Sequence, residues 1–128
     1  MKKANKKVNA AIIIIGNEIL SGRTQDINVL NLSRWLNSLG VKVEEVRIVP
    51  DNEVAIVHTV NFLRKRFNYI FTTGGIGPTH DDITSKSIAK AFNIKYGTHE
   101  AAYKLLENYY GYKNFNYGRK KMAMMPKK

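Results

Sequence analysis

The chain contains no cysteine among its 128 residues, which excludes a disulfide scaffold, a Cys-liganded zinc site and a thiol nucleophile. The same absence agrees with a reducing compartment. Long apolar runs are also missing. The longest, Ala10 to Ile15 with Val8 just before it, is far too short to span a bilayer. No secretory leader is expected either. Lys2, Lys3, Lys6 and Lys7 resemble its charged start, but the run behind them breaks at Gly16-Asn17-Glu18 with no convincing cleavage site. Internal repeats and low-complexity linkers do not occur, and the length suits one domain. A hydrophobic fraction of 44% supports a real core. Together these features point to a soluble, cytoplasmic protein with no membrane partner.

Acid is the scarce charge. Ten Asp and Glu stand against 21 Lys and Arg, for a net charge of +11. The excess sits at the ends, with four basic residues in positions 1–7, six in 113–128, and no acid in either stretch. Residues 8–112 hold 11 basic residues and all ten acids, a balance of +1. Reading nucleic acid in a groove needs a basic face on the folded body, and this body is neutral. Nucleic acid is therefore a disfavoured partner. A tail-driven binder is the lesser alternative, and its affinity would fall steeply with salt.

What is present is an alternation of strand and helix patterns. Val8 to Ile15 is apolar at nearly every position and rich in β-branched residues, the pattern of a central parallel strand buried on both faces. From about Asp26 to Leu39, Val29, Leu32, Leu36 and Leu39 form one helical stripe, closed by Gly40. Val41 to Val49 reads as a strand ended by Pro50. Asp51 is then a plausible N-cap for a helix through Arg66, with the stripe Ile56, Val60, Leu63 and Phe67. Tyr69 to Thr73 is a third strand. Helices follow from roughly His80 to Phe92 and from about His99 to Tyr110. The order β-α-β-α-β-α-α specifies an α/β domain with a mostly parallel sheet and helices on both faces. The aromatics near the end, Tyr109, Tyr110, Tyr112, Phe115 and Tyr117, are expected to cover the core or a subunit contact.

Ligands of such sheets bind outside the carboxyl ends of the strands, which draws attention to Gly16–Gly22, Pro50–Asp51 and Thr72–Asp82. The first loop matches no phosphate motif. Glu18 stands where a dinucleotide fingerprint needs glycine, and Gly16 to Gly22 followed by Arg23 misses the P-loop spacing and its lysine. The third loop is richer. Gly74, Gly75 and Gly77 free the backbone to approach a ligand, and such a nest suits a phosphate. Asp81 and Asp82 follow at once and would repel one. A divalent cation such as Mg²⁺ resolves the conflict, since it is held by one or two carboxylates plus substrate phosphates. The bare pattern also has a simpler reading. Thr79-x-x-Asp82 is a capping-box spacing, and N-capping accounts for Asp51 as well. His58 and His99 read as helix residues. His80 is the one histidine beside carboxylates.

Thr72-Thr73-Gly74-Gly75-Ile76-Gly77-Pro78-Thr79-His80-Asp81-Asp82-Ile83-Thr84 resembles the signature loop of the MoaB/Mog-type molybdopterin-binding domain. Gly16-Asn17-Glu18-Ile19-Leu20-Ser21-Gly22, with Asn28 on the helix after it, is similar to that family's first loop. With Val49-Pro50-Asp51-Asn52 added, the set resembles the competence/damage-inducible (CinA-like) branch, over residues 8 to about 126. The resemblance implies a three-layer α/β/α domain, usually a homo-oligomer. It implies catalytic roles for Asp51 and Asp82, with Asp82 as a metal ligand. It assigns ligand binding to Gly16, Asn17, Glu18, Ser21, Gly22 and Asn28 in the first region, and to Thr73, Gly74, Gly75, Gly77, Pro78, Thr79, Asp81 and Thr84 in the second. Mog-type relatives bind molybdopterin and support Mg-ATP-dependent adenylylation. The CinA-like branch is linked to metal-dependent hydrolysis of ADP-ribose-type pyrophosphates. The implied ligand is thus a pterin or adenine nucleotide held with Mg²⁺ or another divalent cation. A ligand-binding or oligomerisation module without turnover is the alternative.

The expected organisation is a basic tail over residues 1–7 and one domain over 8–128. The family pattern continues beyond the segment matching Met122 to Pro126 with a further strand and a glycine-containing loop, so the domain is expected to lack its last strand region. The amidohydrolase domain of full-length competence proteins is not expected.

Overall fold

The computed structural model describes residues 7–128, so most of the expected basic tail lies outside the described residues. Strand β1 (Val8–Ile15) is buried from Ala10 through Ile15, as a run without polar interruption requires. It is the central strand. β2 (Val41–Val49) and β3 (Tyr69–Thr73) flank it in parallel, giving the order β2-β1-β3. Helices α1 (Asn17–Leu20) and α2 (Asn28–Ser38) lead from β1 to β2, and α3 (Glu53–Leu63) leads from β2 to β3.

The first crossover steps to one side of β1 and the second steps back past it. Right-handed connections therefore put α2 and α3 on opposite faces of the sheet, which is the expected three-layer α/β/α arrangement. On one face Ala11, Ile13 and Ile15 pack with Ile56, Val60 and Leu63 of α3, joined by Ala91 from α4 (Thr84–Ala91). By the period of two, Ile12 and Ile14 turn to the other face, where α2 buries Leu36. Gly40 follows α2 at φ 79°, the left-handed conformation expected of a residue that stops a helix.

Four features differ from the sequence expectation. The helix after β2 is capped by Asn52 rather than Asp51. Asn52 is extended and its side chain accepts from the Ala55 N–H at 3.0 Å, while Asp51 is turned away to the first loop. That helix ends at Leu63, three residues before the expected Arg66. The helix expected from His80 begins only at Thr84, because residues 78–82 form a turn held by Asp82. Finally, β4 (Lys95–Thr98) and β5 (Met124–Lys127) form a second, antiparallel sheet with Tyr96 opposite Pro126. Helices α5 (Glu100–Tyr110) and α6 (Tyr117–Lys121) lie between these strands in sequence, α5 being the expected one. Four-residue strands containing Gly97 and Pro126 carry no usable periodicity, so only long-range pairing creates them.

Of the terminal aromatics, expected to cover the core or a subunit contact, some join the core and others stand at the surface of the single chain. Phe115 is buried and Tyr110 half-buried, but Tyr109, Tyr112 and Tyr117 are more than four-fifths exposed. Among the described residues no helix is long and apolar enough to cross a membrane.

The Asn52 cap provides a direct check. Asn52→Ala leaves the Ala55 N–H without its acceptor and is expected to cost about 1 kcal/mol of stability in urea unfolding.

Candidate functional site

The direction of the crossovers changes at β1, so the loops after β1 and β3 part on either side of a crevice. This is a topological switch point, the place where open parallel sheets bind ligands. A cleft of about 380 Å³ opens there. It is lined by Asn17, Glu18 and Arg23 after β1, by Asp51 after β2, and by Gly75, Thr79, Asp81 and Asp82 after β3. Asp51 and Asp82, 31 positions apart in sequence, thus share one cavity.

Each wall is set by its own hydrogen bonds. The Gly16 N–H donates to Val49 O at 3.1 Å, tying the start of the first loop to the end of β2. Beyond it Asn17 and Asp51 bond reciprocally. The Asn17 N–H donates to Asp51 Oδ2, and the Asp51 N–H donates to Asn17 Oδ1, both at 3.2 Å. Further along, Ser21 donates its hydroxyl to Glu18 O and accepts from Arg23 Nε at 3.1 Å, which directs the guanidinium group along the cleft wall. Gly22, at φ 76°, allows the chain to turn back there.

The glycine turn after β3 sits close to its neighbours. A Cβ on Gly74 would stand 2.0 Å from Ile15 O, and one on Gly75 would stand 2.1 Å from Thr84 Oγ1. Both residues have positive φ, 88° and 67°. Thr84 is buried, its hydroxyl donating to Gly74 O at 2.8 Å and its N–H to Gly75 O at 3.1 Å. Its place is therefore beneath the turn, bracing it, rather than in the cleft. Asp82 Oδ2 accepts from the Thr79 N–H and the Thr79 hydroxyl, both at 2.8 Å. Lys121, at the end of α6, donates its ammonium to Thr79 O and to Asp82 O, closing the turn from below.

Partial burial works to raise the Asp82 carboxyl's pKa. The Thr79 hydroxyl and N–H, the Gly77 N–H and the charge of Lys121 outweigh it, so the pKa lies below the ordinary aspartate value. Asp82 is thus held ionised by the turn it organises. It is not the first-turn helix acid that its spacing suggested.

Not every expected residue reaches this cavity. Gly77 and Pro78 face clefts on the other side of the turn. Asn28 is exposed at the start of α2 and does not line the cleft. The Thr73 hydroxyl is buried at the end of β3 with no hydrogen-bond partner among the described residues. His80 lies 3.2 Å from Asp81 on the outer surface, where both side chains are largely exposed. Arg23 at the cleft wall and Lys121 beneath the turn lie outside the residues the sequence pattern singles out: Arg23 stands where a P-loop would need lysine, and nothing in the local pattern links Lys121 to the distant Thr79–Asp82 turn.

An open parallel sheet with a glycine turn and carboxylates at its switch point defines an α/β domain with a candidate ligand cleft. The chain belongs to the family described as "Probable molybdopterin binding domain", whose model matches residues 11–127, and within that family it is CinA-like. It is 45% identical over 121 residues to a protein of Sulfurisphaera tokodaii, spanning 92% of this chain and 46% of the relative. A CinA-like protein of Syntrophotalea carbinolica is 32% identical over 123 residues, spanning 94% of this chain and 30% of the relative. A "Probable FAD synthase" of Caenorhabditis briggsae is 40% identical over 87 residues, spanning 68% and 17%. The chain therefore spans about half or less of these curated relatives. Among solved structures, CinA of Thermoplasma acidophilum superposes with a TM-score of 0.86 at 32% identity, covering 96% of this chain and 72% of that one. MoaB of Thermus thermophilus shares the fold, with a TM-score of 0.64 at 19% identity and coverage of 87% and 69%.

Proposed function

We propose that the cleft binds the phosphate groups of a pterin or an adenine nucleotide together with a divalent cation, and that the bound phosphoanhydride is the bond acted upon. The observation that carries this reading is the charge of the cleft. Glu18, Asp51, Asp81 and Asp82 line it against Arg23 alone, so four carboxylates face one guanidinium group. A phosphate enters such a site only when a cation accompanies it, and Mg²⁺ prefers a few carboxylates completed by substrate oxygens and water.

Among the described residues no three His, Asp or Glu side chains cluster closely enough to cage a metal by themselves. The donor set instead fits a cation that arrives with its ligand, Asp82 and Asp51 each offering an oxygen. Such a cation would neutralise charge on the phosphate oxygens. The chain's own groups supply the rest. Arg23 pairs with a phosphate oxygen, the Gly75 backbone lies at the ligand, and the Asn17–Asp51 pair ties the first loop to the segment after β2.

One relative agrees with this chemistry by its name, the "Probable FAD synthase" matched over 17% of its length, since FAD synthesis joins an adenylyl group through a phosphoanhydride. Splitting an ADP-ribose-type pyrophosphate is the hydrolytic counterpart. A homo-oligomer and a cytoplasmic location complete the proposal, with a single domain over residues 8–128.

A thermal-shift series with a pterin phosphate, ADP-ribose, FAD and ATP, each with and without Mg²⁺, tests it. A ligand present at a hundred times its Kd adds about 2.7 kcal/mol, or roughly 10 °C for a domain of this size. The expected result is a shift of that order for at least one of the four, dependent on Mg²⁺. Equal melting temperatures throughout the series would end the proposal.

A further inference from the structure

Helix α6 runs beneath the Asp82 turn and meets it at two points. Gly118 and Lys121 are three positions apart and so share one face of the helix. A Cβ on Gly118 would stand 2.7 Å from Pro78 O, so α6 comes this close only with glycine at 118. One helical turn on, the Lys121 ammonium donates to Thr79 O and, at 2.7 Å, to Asp82 O. The main-chain oxygens of Pro78, Thr79 and Asp82 thus all meet α6, while Thr79 and Asp82 also line the carboxylate cleft.

The helix is itself held at both ends. At its start Asn116 accepts from the Arg119 N–H at 3.0 Å. The Arg119 guanidinium donates to Asn114 O at 2.7 Å and lies 4.2 Å from the Tyr110 ring of α5. Just past the other end, the carbonyl of buried Ala123 accepts from the His99 N–H at 2.7 Å, and Met124 O accepts from the Ser85 hydroxyl at 3.1 Å. These contacts fix α6 to α5, to the β4–β5 sheet and to the start of α4. The turn, entered through Gly74, Gly75 and Gly77, gains from them a neighbour that does not move.

We infer that Lys121 is a positioning residue for Asp82, holding the turn against α6 so that the Asp82 carboxylate stands at the cleft. The form of the contact argues for this role. An ammonium paired with the carboxylate would offset the negative charge that a bound cation needs. Lys121 bonds instead to the main chain at both ends of the turn, and among the described residues it forms no ion pair. It fixes where the carboxylate stands without taking its place as counter-ion. The use made of that carboxylate rests on the phosphate-and-cation reading above.

Two measurements test the inference. Solvent exchange of the Thr79 N–H, which donates to Asp82 Oδ2, follows the turn in the ligand-free protein by NMR. Titration calorimetry with inorganic pyrophosphate and Mg²⁺ follows the cleft. Lys121→Met keeps the length of the stem and removes the ammonium. It is expected to quicken Thr79 exchange at least tenfold, well beyond any change at the Ile13 N–H in β1, and to weaken pyrophosphate tenfold or more. Lys121→Arg keeps a cation with several donors and is expected to restore most of both losses. Gly118→Ala retains the lysine but forces α6 away from Pro78 O, and is expected to quicken Thr79 exchange as well. Equal quickening at Thr79 and Ile13 would make Lys121 a general stabiliser and overturn the inference. Pyrophosphate binding unchanged by Lys121→Met overturns it too, and leaves the phosphate reading standing. If pyrophosphate fails to bind the parent while Lys121→Met still frees Thr79 and Lys121→Arg restores it, the hold on Asp82 stands and the phosphate reading is at fault.

Discussion

Gly74→Ala is expected to cost about 2–5 kcal/mol, lowering the melting temperature by roughly 10–20 °C. Two terms add. At φ 88° a side chain brings the ordinary penalty of the left-handed region, and the new Cβ would stand 2.0 Å from Ile15 O. That oxygen belongs to the end of the central strand and cannot swing aside as a flexible side chain would. Gly40→Ala is the control. It has a similar φ of 79° but nothing within 4 Å of its Cβ, so it should show the conformational penalty alone. Thermal and urea unfolding of the pair measure the difference. Equal costs at the two positions would mean that the turn after β3 does not press against β1. Since the cleft exists only because those segments converge, Gly74→Ala should also abolish ligand-induced thermal shifts at temperatures where the variant remains folded.

Asp82→Asn is expected to lower Mg²⁺-dependent ligand affinity at least tenfold, equivalent to about 1.4 kcal/mol. The unliganded protein should change far less. The amide oxygen of Asn can still accept from the Thr79 N–H, so the turn keeps its closing bond while the cleft loses a charge. A purely structural role predicts the opposite ranking, with stability reduced and metal response intact. The pH dependence gives an independent readout. The folded-state pKa of Asp82 lies below its unfolded value, so its stabilisation is fully present above the ordinary aspartate range. It is lost as pH falls below about 4 and through the lowered folded value. The parent should therefore shed part of its stability in that acid window, and Asp82→Asn should shed less. A variant as metal-responsive as the parent would refute the assignment.

Exposed Lys–Glu contacts such as Lys90–Glu53 have no comparable leverage, because solvent screens them. The turn around Asp82 differs in combining hydrogen bonds from Thr79, burial against α6 and a lysine that reaches back from Lys121. That combination also explains how a loop with three glycines keeps a defined shape.

Local pattern determined the elements that carry their own signal. Ala10 to Ile15 had to be the heart of an inner strand because none of its side chains is polar. The spacing of Ile56, Val60 and Leu63 had to place α3 on that strand, and Gly40 had to end α2 by its left-handed turn. The glycines at 74, 75 and 77 marked a tight, irregular turn after β3, because three of them fall within four positions. Tertiary structure alone decided the rest. Asp51 and Asn52 are both good capping residues, and no propensity chooses between them. The reciprocal bonds between Asp51 and Asn17, available only once β1 and β2 lie side by side, leave the cap to Asn52 and the cleft to Asp51. Asp82 sits at a capping-box spacing, yet the turn closed by Lys121 delays the helix to Thr84 and leaves the carboxylate beside the cleft. Arg23, Lys121 and the small β4–β5 sheet follow the same rule. Each depends on partners distant in sequence, and contact energy between distant residues leaves no periodic trace in the chain that carries them.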